Sequence, residues 1–260
     1  MTPATESIIK NEIPILEFDD EQAAVINPTH EELDLKLPKK CVLAFLGDYI
    51  DEYALKNDAS KASEFVSATK LYPIYITKYK GEEIVLCQAP VGAAPAAQIM
   101  DWLIGYGVRE IISAGSCGAL EKFPESTFLV PNKALRDEGT SYHYAAPSRF
   151  MGISEKARKA IEEAVLEHGM KYQEVITWST DGFFRETKDK VAYRKSEGCS
   201  VVEMECSALA ACAAFRGATW GMILYTADSL ADVDKYDERN WGGNAYEYAL
   251  TLCLDSVVKM

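Results

Sequence analysis

Ile84-Val-Leu-Cys-Gln88 leads through Ala89-Pro-Val-Gly-Ala-Ala-Pro95 into an amphipathic stretch that stops at Tyr106-Gly107, and Glu110-Ile-Ile-Ser-Ala114 follows at once. A short continuous apolar run, a Gly/Pro loop, an apolar period of 3.6 and a second continuous run read as strand, loop, helix and strand. Strands without polar alternation are buried on both faces, so helices must cover both sides of a largely parallel or mixed sheet. The chain is therefore expected to be α/β.

Working outward, Cys41-Val-Leu-Ala-Phe-Leu46 is another buried strand, ending at Gly47. Downstream, strands are expected over 127–131, 174–178 and 220–225. Helices are expected from the cap at Ser154 to about His168-Gly169, over 204–215 with Gly217 as C-cap, and over 241–259. No internal repeat interrupts this alternation, so residues 39–260 are expected to form one domain. Residues 1–38 are acidic and punctuated by proline. They read as an N-terminal arm lying on the domain or on a neighbouring subunit. In such a sheet ligands sit beyond the carboxyl ends of the strands, which selects the segments after Leu46, Gln88, Ala114 and Tyr225.

Composition narrows the partners. The 260 residues carry 27 Lys+Arg against 40 Asp+Glu, a formal net charge of −13. No Lys/Arg run exceeds a residue or two, so the positive footprint of a nucleic-acid binder is missing, and an anionic membrane surface is repelled. A small anion needs a pocket that overcomes the global sign. The cysteines (Cys41, Cys87, Cys117, Cys199, Cys206, Cys212 and Cys253) are odd in number and form no CxxC pair. They read as buried, reduced thiols of a cytoplasmic protein. Residues 1–7 lack the basic and apolar regions of a secretion signal, and no apolar stretch approaches the ~20 residues of a membrane span.

Three segments could carry chemistry. Gly115-Ser-Cys-Gly118 directly follows a strand. Its amides and the Ser116 hydroxyl could approach an anion, or its glycines could simply serve a tight turn. It is neither a Walker A loop nor a complete GxGxxG. In Val202-Glu-Met-Glu205, an extended backbone would point Glu203 and Glu205 the same way, where two carboxylates could accept hydrogen bonds from ribose hydroxyls. Both could equally be acids at a helix N-terminus. Asp228, in Tyr225-Thr-Ala-Asp-Ser229, is either a loop cap or an acid whose burial would raise its pKa towards neutrality.

Taken in order, Leu46-Gly47-Asp48, Ala114-Gly-Ser-Cys-Gly-Ala-Leu120, Arg136-Asp-Glu-Gly-Thr-Ser-Tyr-His-Tyr144, Thr180-Asp-Gly-Phe-Phe184, Val202-Glu-Met-Glu205 and Ala227-Asp228 resemble the nucleoside phosphorylase superfamily. That group includes purine nucleoside and uridine phosphorylases and methylthioadenosine-type nucleosidases. The resemblance runs from about His30 to the last helix. It implies a three-layer α/β/α sandwich around a mixed, partly barrel-like sheet. It also implies cleavage of a nucleoside N-glycosidic bond, with neither cofactor nor metal, and assembly as a homodimer or homohexamer. By the same resemblance Met204 and Glu205 bind ribose, and Asp228 assists the departing base. Phe183 and Phe184 bind the base, and His30 either reaches a neighbour's site or is a surface residue of the arm. Gly47, Asp51 and Ser116 fall at the site of the attacking phosphate or water.

The sequence departs from the family at the phosphate. Asp51 and Ser113 stand where two anchoring arginines are usual, and Lys70 or Lys78 lies near the position of a third, supplied by a neighbouring subunit. Arg185, Lys188 and Arg194 could be recruited as anion ligands, or could form a solvated charged face. In the hydrolytic branch an acid takes the Asp51 position and helps place water. The resemblance therefore implies a nucleoside phosphorylase giving base and ribose 1-phosphate. The departures open two alternatives, a nucleosidase using water and a catalytically weak nucleoside-binding paralogue. The base, purine or pyrimidine, stays open at this level.

Overall fold

The apolar runs at Cys41, Ile84 and Glu110 lie side by side as parallel strands, with Cys41 in register with both Val85 and Ile111. A computed structural model describes residues 8–260; residues 1–7, read above for a secretion signal, lie outside the described residues. The elements follow as β1 (Lys40–Ala44), α1 (Tyr49–Lys56), β2 (Ser60–Val66), β3 (Leu71–Tyr79), β4 (Glu82–Gln88), α2 (Ala93–Gly105), β5 (Glu110–Ala119), β6 (Phe128–Asp137) and β7 (Phe150–Gly152). They continue as α3 (Glu155–Glu167), β8 (Gln173–Thr180), α4 (Lys188–Ser196), β9 (Cys199–Glu203), α5 (Cys206–Phe215), β10 (Thr219–Ser229) and α6 (Tyr246–Val258).

Strand alternation sorts the core into two layers. Cys41, Leu43, Val85, Cys87 and Ile111 face α2 and α5, whereas Val42, Ala44, Ile84, Leu86, Ile112 and Ala114 face α3 and α6. This is the α/β/α sandwich expected. The sheet is mixed: β1, β4 and β5 are parallel, while β2 and β3 add antiparallel strands at one edge. At the other end β5, β9, β8, β6 and β10 pair in turn, and β10 returns to β5, closing a barrel. Closure removes free strand edges from that half of the molecule. All seven cysteines are free and buried, and burial pushes their thiols up. Among the described residues no helix is long and apolar enough to cross a membrane.

Among its described residues the arm carries one 3₁₀ turn, Pro14–Leu16, and lies along α2. Trp102 Nε1 donates to Glu31 Oε2 at 2.9 Å, Leu37 N donates to Tyr106 O at 2.8 Å, and Arg216 Nη1 donates to Gln22 O at 2.7 Å.

Several expected boundaries move. Gly115-Ser-Cys-Gly118 is not a loop but the middle of β5, which must run straight to pair with β10 on one side and β9 on the other. Its glycines serve close approach: a Cβ at Gly115 would lie 3.0 Å from Met222 Cε. Asp228 lies within β10, not after its end. The last helix begins at Tyr246, because Trp241 and Gly242 take φ of 52° and 69° and break the helical path.

The α3–β10 contact gives a direct test of the packing. A Cβ on Gly221 would lie 2.7 Å from Ala157 Cβ. Overpacking of this kind costs about 1–3 kcal/mol, so Gly221→Ala should lower the urea unfolding midpoint by a corresponding amount. An unchanged midpoint would show that helix and strand are not held this close.

Candidate active site

A cavity opens where the carboxyl ends of the barrel strands meet the open sheet. Gly115, Ser116, Cys117 and Gly118 of β5 form one wall, and Glu203, Met204 and Glu205 form the opposite one. Asp228 enters from β10, Phe183 and Glu186 from the segment after β8, and Val91 and Trp241 stand at the rim. The structure thus brings together Ser116, Phe183, Met204, Glu205 and Asp228 from four separate sequence segments.

Glu203 is the anchor. It is 6 % exposed, and its carboxylate accepts hydrogen bonds from Ser179 Oγ at 2.6 Å, Thr177 Oγ1 at 3.1 Å, and the amides of Glu205 and Cys206 at 2.6 and 2.7 Å. Those amides open α5, so the carboxylate satisfies two of the donors that every helix leaves unpaired at its start. Burial raises its pKa despite these donors. Glu203 and Glu205 therefore have different surroundings. The Glu205 Oε1 accepts from the Gly92 amide at 2.5 Å, bridging the cavity to the start of α2. Gly92 has φ of 104°, a conformation that favours glycine. Burial and the neighbouring Glu203 charge push the Glu205 carboxyl up to about 8.

At the other end, Asp228 is 5 % exposed and its pKa is raised by burial, against the opposing effects of the Tyr236 hydroxyl and Arg239. A Cβ at Gly118 would stand 3.3 Å from Asp228 Oδ1, so glycine keeps room for the carboxyl. Glu186 is half-buried and is pushed up to about 7, by burial first and then by the Asp228 charge. The Phe183 and Phe184 rings meet edge to face at 5.0 Å. Phe183 lines the main cavity and Phe184 only the adjoining one, which shares Phe183, Glu186, Asp228 and Trp241. Protonated carboxyls and aromatic faces suit a flat heterocycle that accepts a proton on leaving.

The remaining candidates lie outside this lining. Gly47 adopts φ of 55° at the entry to α1. Asp51, on α1, faces Tyr75, whose hydroxyl is pushed up to about 12 by burial and by Asp51; its Oδ1 is buried without a hydrogen-bond partner. His30 is exposed in the arm, with Nδ1 3.0 Å from Asn27 O. Ser113 is fully buried and accepts from Trp220 Nε1 at 3.0 Å, a core contact and not an anion ligand. Arg194 is no solvated face: it is 7 % exposed and pairs with Asp137 and Glu197 at 3.0 and 2.9 Å. Lys188 pairs with Asp234, and Lys70 Nζ donates to Gln88 Oε1 at 2.6 Å. Among the described residues no Lys or Arg lines the cavity, whereas Glu186, Glu203, Glu205 and Asp228 all do.

Sequence reasoning missed Glu186 and Trp241. Glu186 could have been found as the lone acid between Arg185 and Lys188, directly after the aromatic pair. Trp241 carried no local signal.

A family model described as Phosphorylase superfamily matches residues 39–258. A guanosine phosphorylase of Halorubrum lacusprofundi is 26% identical over 167 residues, 64% of this chain and 69% of that protein. A 5'-methylthioadenosine/S-adenosylhomocysteine nucleosidase of Buchnera aphidicola is 28% identical over 150 residues, 54% of this chain and 64% of that protein. The match thus spans about two thirds of the length of each. Among solved structures, a uridine phosphorylase of Vibrio fischeri superposes with a TM-score of 0.75 at 22% identity, covering 87% of this chain and 95% of that one.

The raised carboxyl of Glu205 has a consequence for stability. Its folded-state value of about 8 exceeds the ordinary 4.5, so the folded state binds the proton more tightly. The resulting penalty is absent below about pH 4.5, grows as the pH rises from there to about 8, and levels off above it. Glu205→Gln removes it. The melting temperature of the variant, relative to wild type, should therefore rise between about pH 5 and 8.5; a difference that stays flat would contradict the shift.

Proposed function

The chain belongs to the phosphorylase superfamily, and we propose that it cleaves the N-glycosidic bond of a nucleoside with water as the attacking nucleophile. The observation that carries this reading is the lining of the cavity: four carboxyl groups and, among the described residues, no cation. A phosphate dianion is held by charge-assisted hydrogen bonds, each contributing roughly 1.5–3 kcal/mol. Here the Ser116 hydroxyl would face it beside Glu203 and Glu205. Water needs no countercharge.

In this reading Glu205 accepts hydrogen bonds from the ribose hydroxyls, and Met204 lies against the sugar. As the bond from C1′ to the base breaks, its electron pair leaves with the base and the ribosyl carbon approaches an oxocarbenium ion. Carboxyl oxygens near this developing positive charge stabilise it. Asp228, whose pKa is raised by burial, transfers its proton to the departing ring nitrogen. The water oxygen adds to C1′ and its proton is lost to solvent, giving free ribose and free base. Phe183 and Trp241 flank the base.

Phosphorolysis is the second reading, and Ser116 favours it. Its side chain is exposed towards the cavity, beside a β5 wall on which glycines keep the backbone accessible. The missing cation would then come from a neighbouring copy. At the mouth Val91 is 72 % exposed and Phe184 92 %, large apolar surface that a second copy would cover. This supports a homodimer or homohexamer, in which His30 of the arm would serve a neighbour's site. Seven buried, protonated thiols fit a reducing, cytoplasmic setting.

Release of free base from a nucleoside panel, with and without inorganic phosphate, tests the nucleophile. Equal rates with ribose as product are expected; strict phosphate dependence with ribose 1-phosphate as product would overturn hydrolysis. Asp228→Asn should lower kcat by about 10²–10⁴-fold with little change in KM. Undiminished turnover would remove Asp228 from the acid role.

A further inference from the structure

Two carboxyls stand at the base end of the cavity, and glycosidic cleavage uses only one. Glu186 and Asp228 line both the main cavity and the adjoining one, between Phe183 and Trp241. Glu186 follows the 3₁₀ turn Phe183–Arg185, so the segment that presents an aromatic face to the base also presents this acid. We infer that Glu186 reads the exocyclic amino group of a 6-aminopurine, next to the ring nitrogen that Asp228 protonates, and so sets the base preference of the site. The inference rests on the glycosidic-cleavage reading above and adds its substrate class.

The charges around Glu186 leave it without a counterion. Asp228 from β10 faces it, with the Tyr236 hydroxyl near both acids. Lys190 of α4 is the cation that acts on it, and its Nζ is already engaged by Asp137 at 2.9 Å. Lys188, two residues on, pairs with Asp234. Among the described residues no donor hydrogen-bonds the Glu186 carboxyl, so its acceptor capacity faces the cavity.

Two neighbouring carboxyls in a half-buried site do not both ionise readily, which favours one proton shared between them. The pair therefore offers one donor and one acceptor. A 6-aminopurine presents the matching set on one edge, the N7 acceptor and the amino donor, whereas a 6-oxopurine presents two acceptors there. Against the 6-oxopurine an ionised Glu186 would meet a carbonyl oxygen, and matching it would take a second proton. A pyrimidine offers no N7.

The test follows base release from adenosine, from purine riboside, which lacks the 6-substituent, and from inosine, using wild type and Glu186→Gln. Wild-type cleavage of p-nitrophenyl β-D-riboside, whose leaving group carries neither the nitrogen nor the amine, reports the glycosidic chemistry alone. A site built to pair a substrate N–H rejects analogues lacking it, so wild-type kcat/KM for adenosine should exceed that for purine riboside and for inosine by about tenfold or more. Glu186→Gln, whose amide can donate to a 6-oxo group, should narrow the adenosine-to-inosine ratio by about tenfold. If the p-nitrophenyl riboside is cleaved while wild type accepts inosine or purine riboside as well as adenosine, the role of Glu186 falls and the general function stands. If neither that substrate nor any nucleoside is cleaved, the general function falls, and this inference with it. The wild-type series decides the matter even if the variant does not fold.

Discussion

The β9–α5 junction beside the cavity is held by the Glu203 carboxylate, which ties the hydroxyls of Thr177 and Ser179 on β8 to the first amides of α5. A buried charge is tolerable only when each of its oxygens is hydrogen-bonded, and here both are. In return the carboxylate fixes where β9 stops and α5 starts, and that junction aims Met204 and Glu205 at the cavity. Glu205 then passes the constraint on, because its bond to the Gly92 amide sets the start of α2 on the far side of the opening. Two acids separated by one residue thus do different work: one holds a helix, the other bridges two.

The electrostatic character of the site follows from what surrounds these acids. Arg136 and Arg194 are 5 % and 7 % exposed and committed to internal partners. The cavity acids therefore lack compensation, and burial raises the carboxyls of Glu186, Glu205 and Asp228. A chain of net charge −13 thereby keeps neutral acids available for proton donation. At Ser113 a hydroxyl is used up inside the core by Trp220, so that position contributes neither charge nor donor to the cavity.

Much of the fold is legible in the sequence because burial on both faces leaves an unmistakable run, as in β1, β4 and the first half of β5. Local caps are equally readable: the Ser154 hydroxyl accepts from the Ala157 amide at 3.4 Å, and Gly217 takes φ of 67° after α5. The β2–β3 pair escaped because its residues are largely half-exposed or exposed, so no apolar period marks it. The barrel course of Gly115-Ser-Cys-Gly118 escaped because glycine reports local freedom, whereas close approach depends on distant residues such as Phe45, Met222 and Leu230. Of the candidate site, the Glu-Met-Glu segment and Asp228 could be picked out as strand-end acids. Glu186 shows locally only as an acid after the aromatic pair; its standing in the site depends on a spatial neighbour 42 positions along the chain, a separation no local pattern encodes.

The closure of β10 against β5 also dictates when the site can exist. The partners Ile111 and Trp220 lie 109 positions apart, and α6, which covers one face of β5, comes later still. Bringing such remote segments together carries a loop entropy that only complete pairing offsets. A nascent chain emerging from the ribosome can form the β1–β4–β5 layer early, yet Asp228 joins it only once β10 has emerged. Premature termination upstream of β10 would therefore leave an open half-barrel with bare strand edges, a species for chaperones and proteases, not a slower version of the same protein.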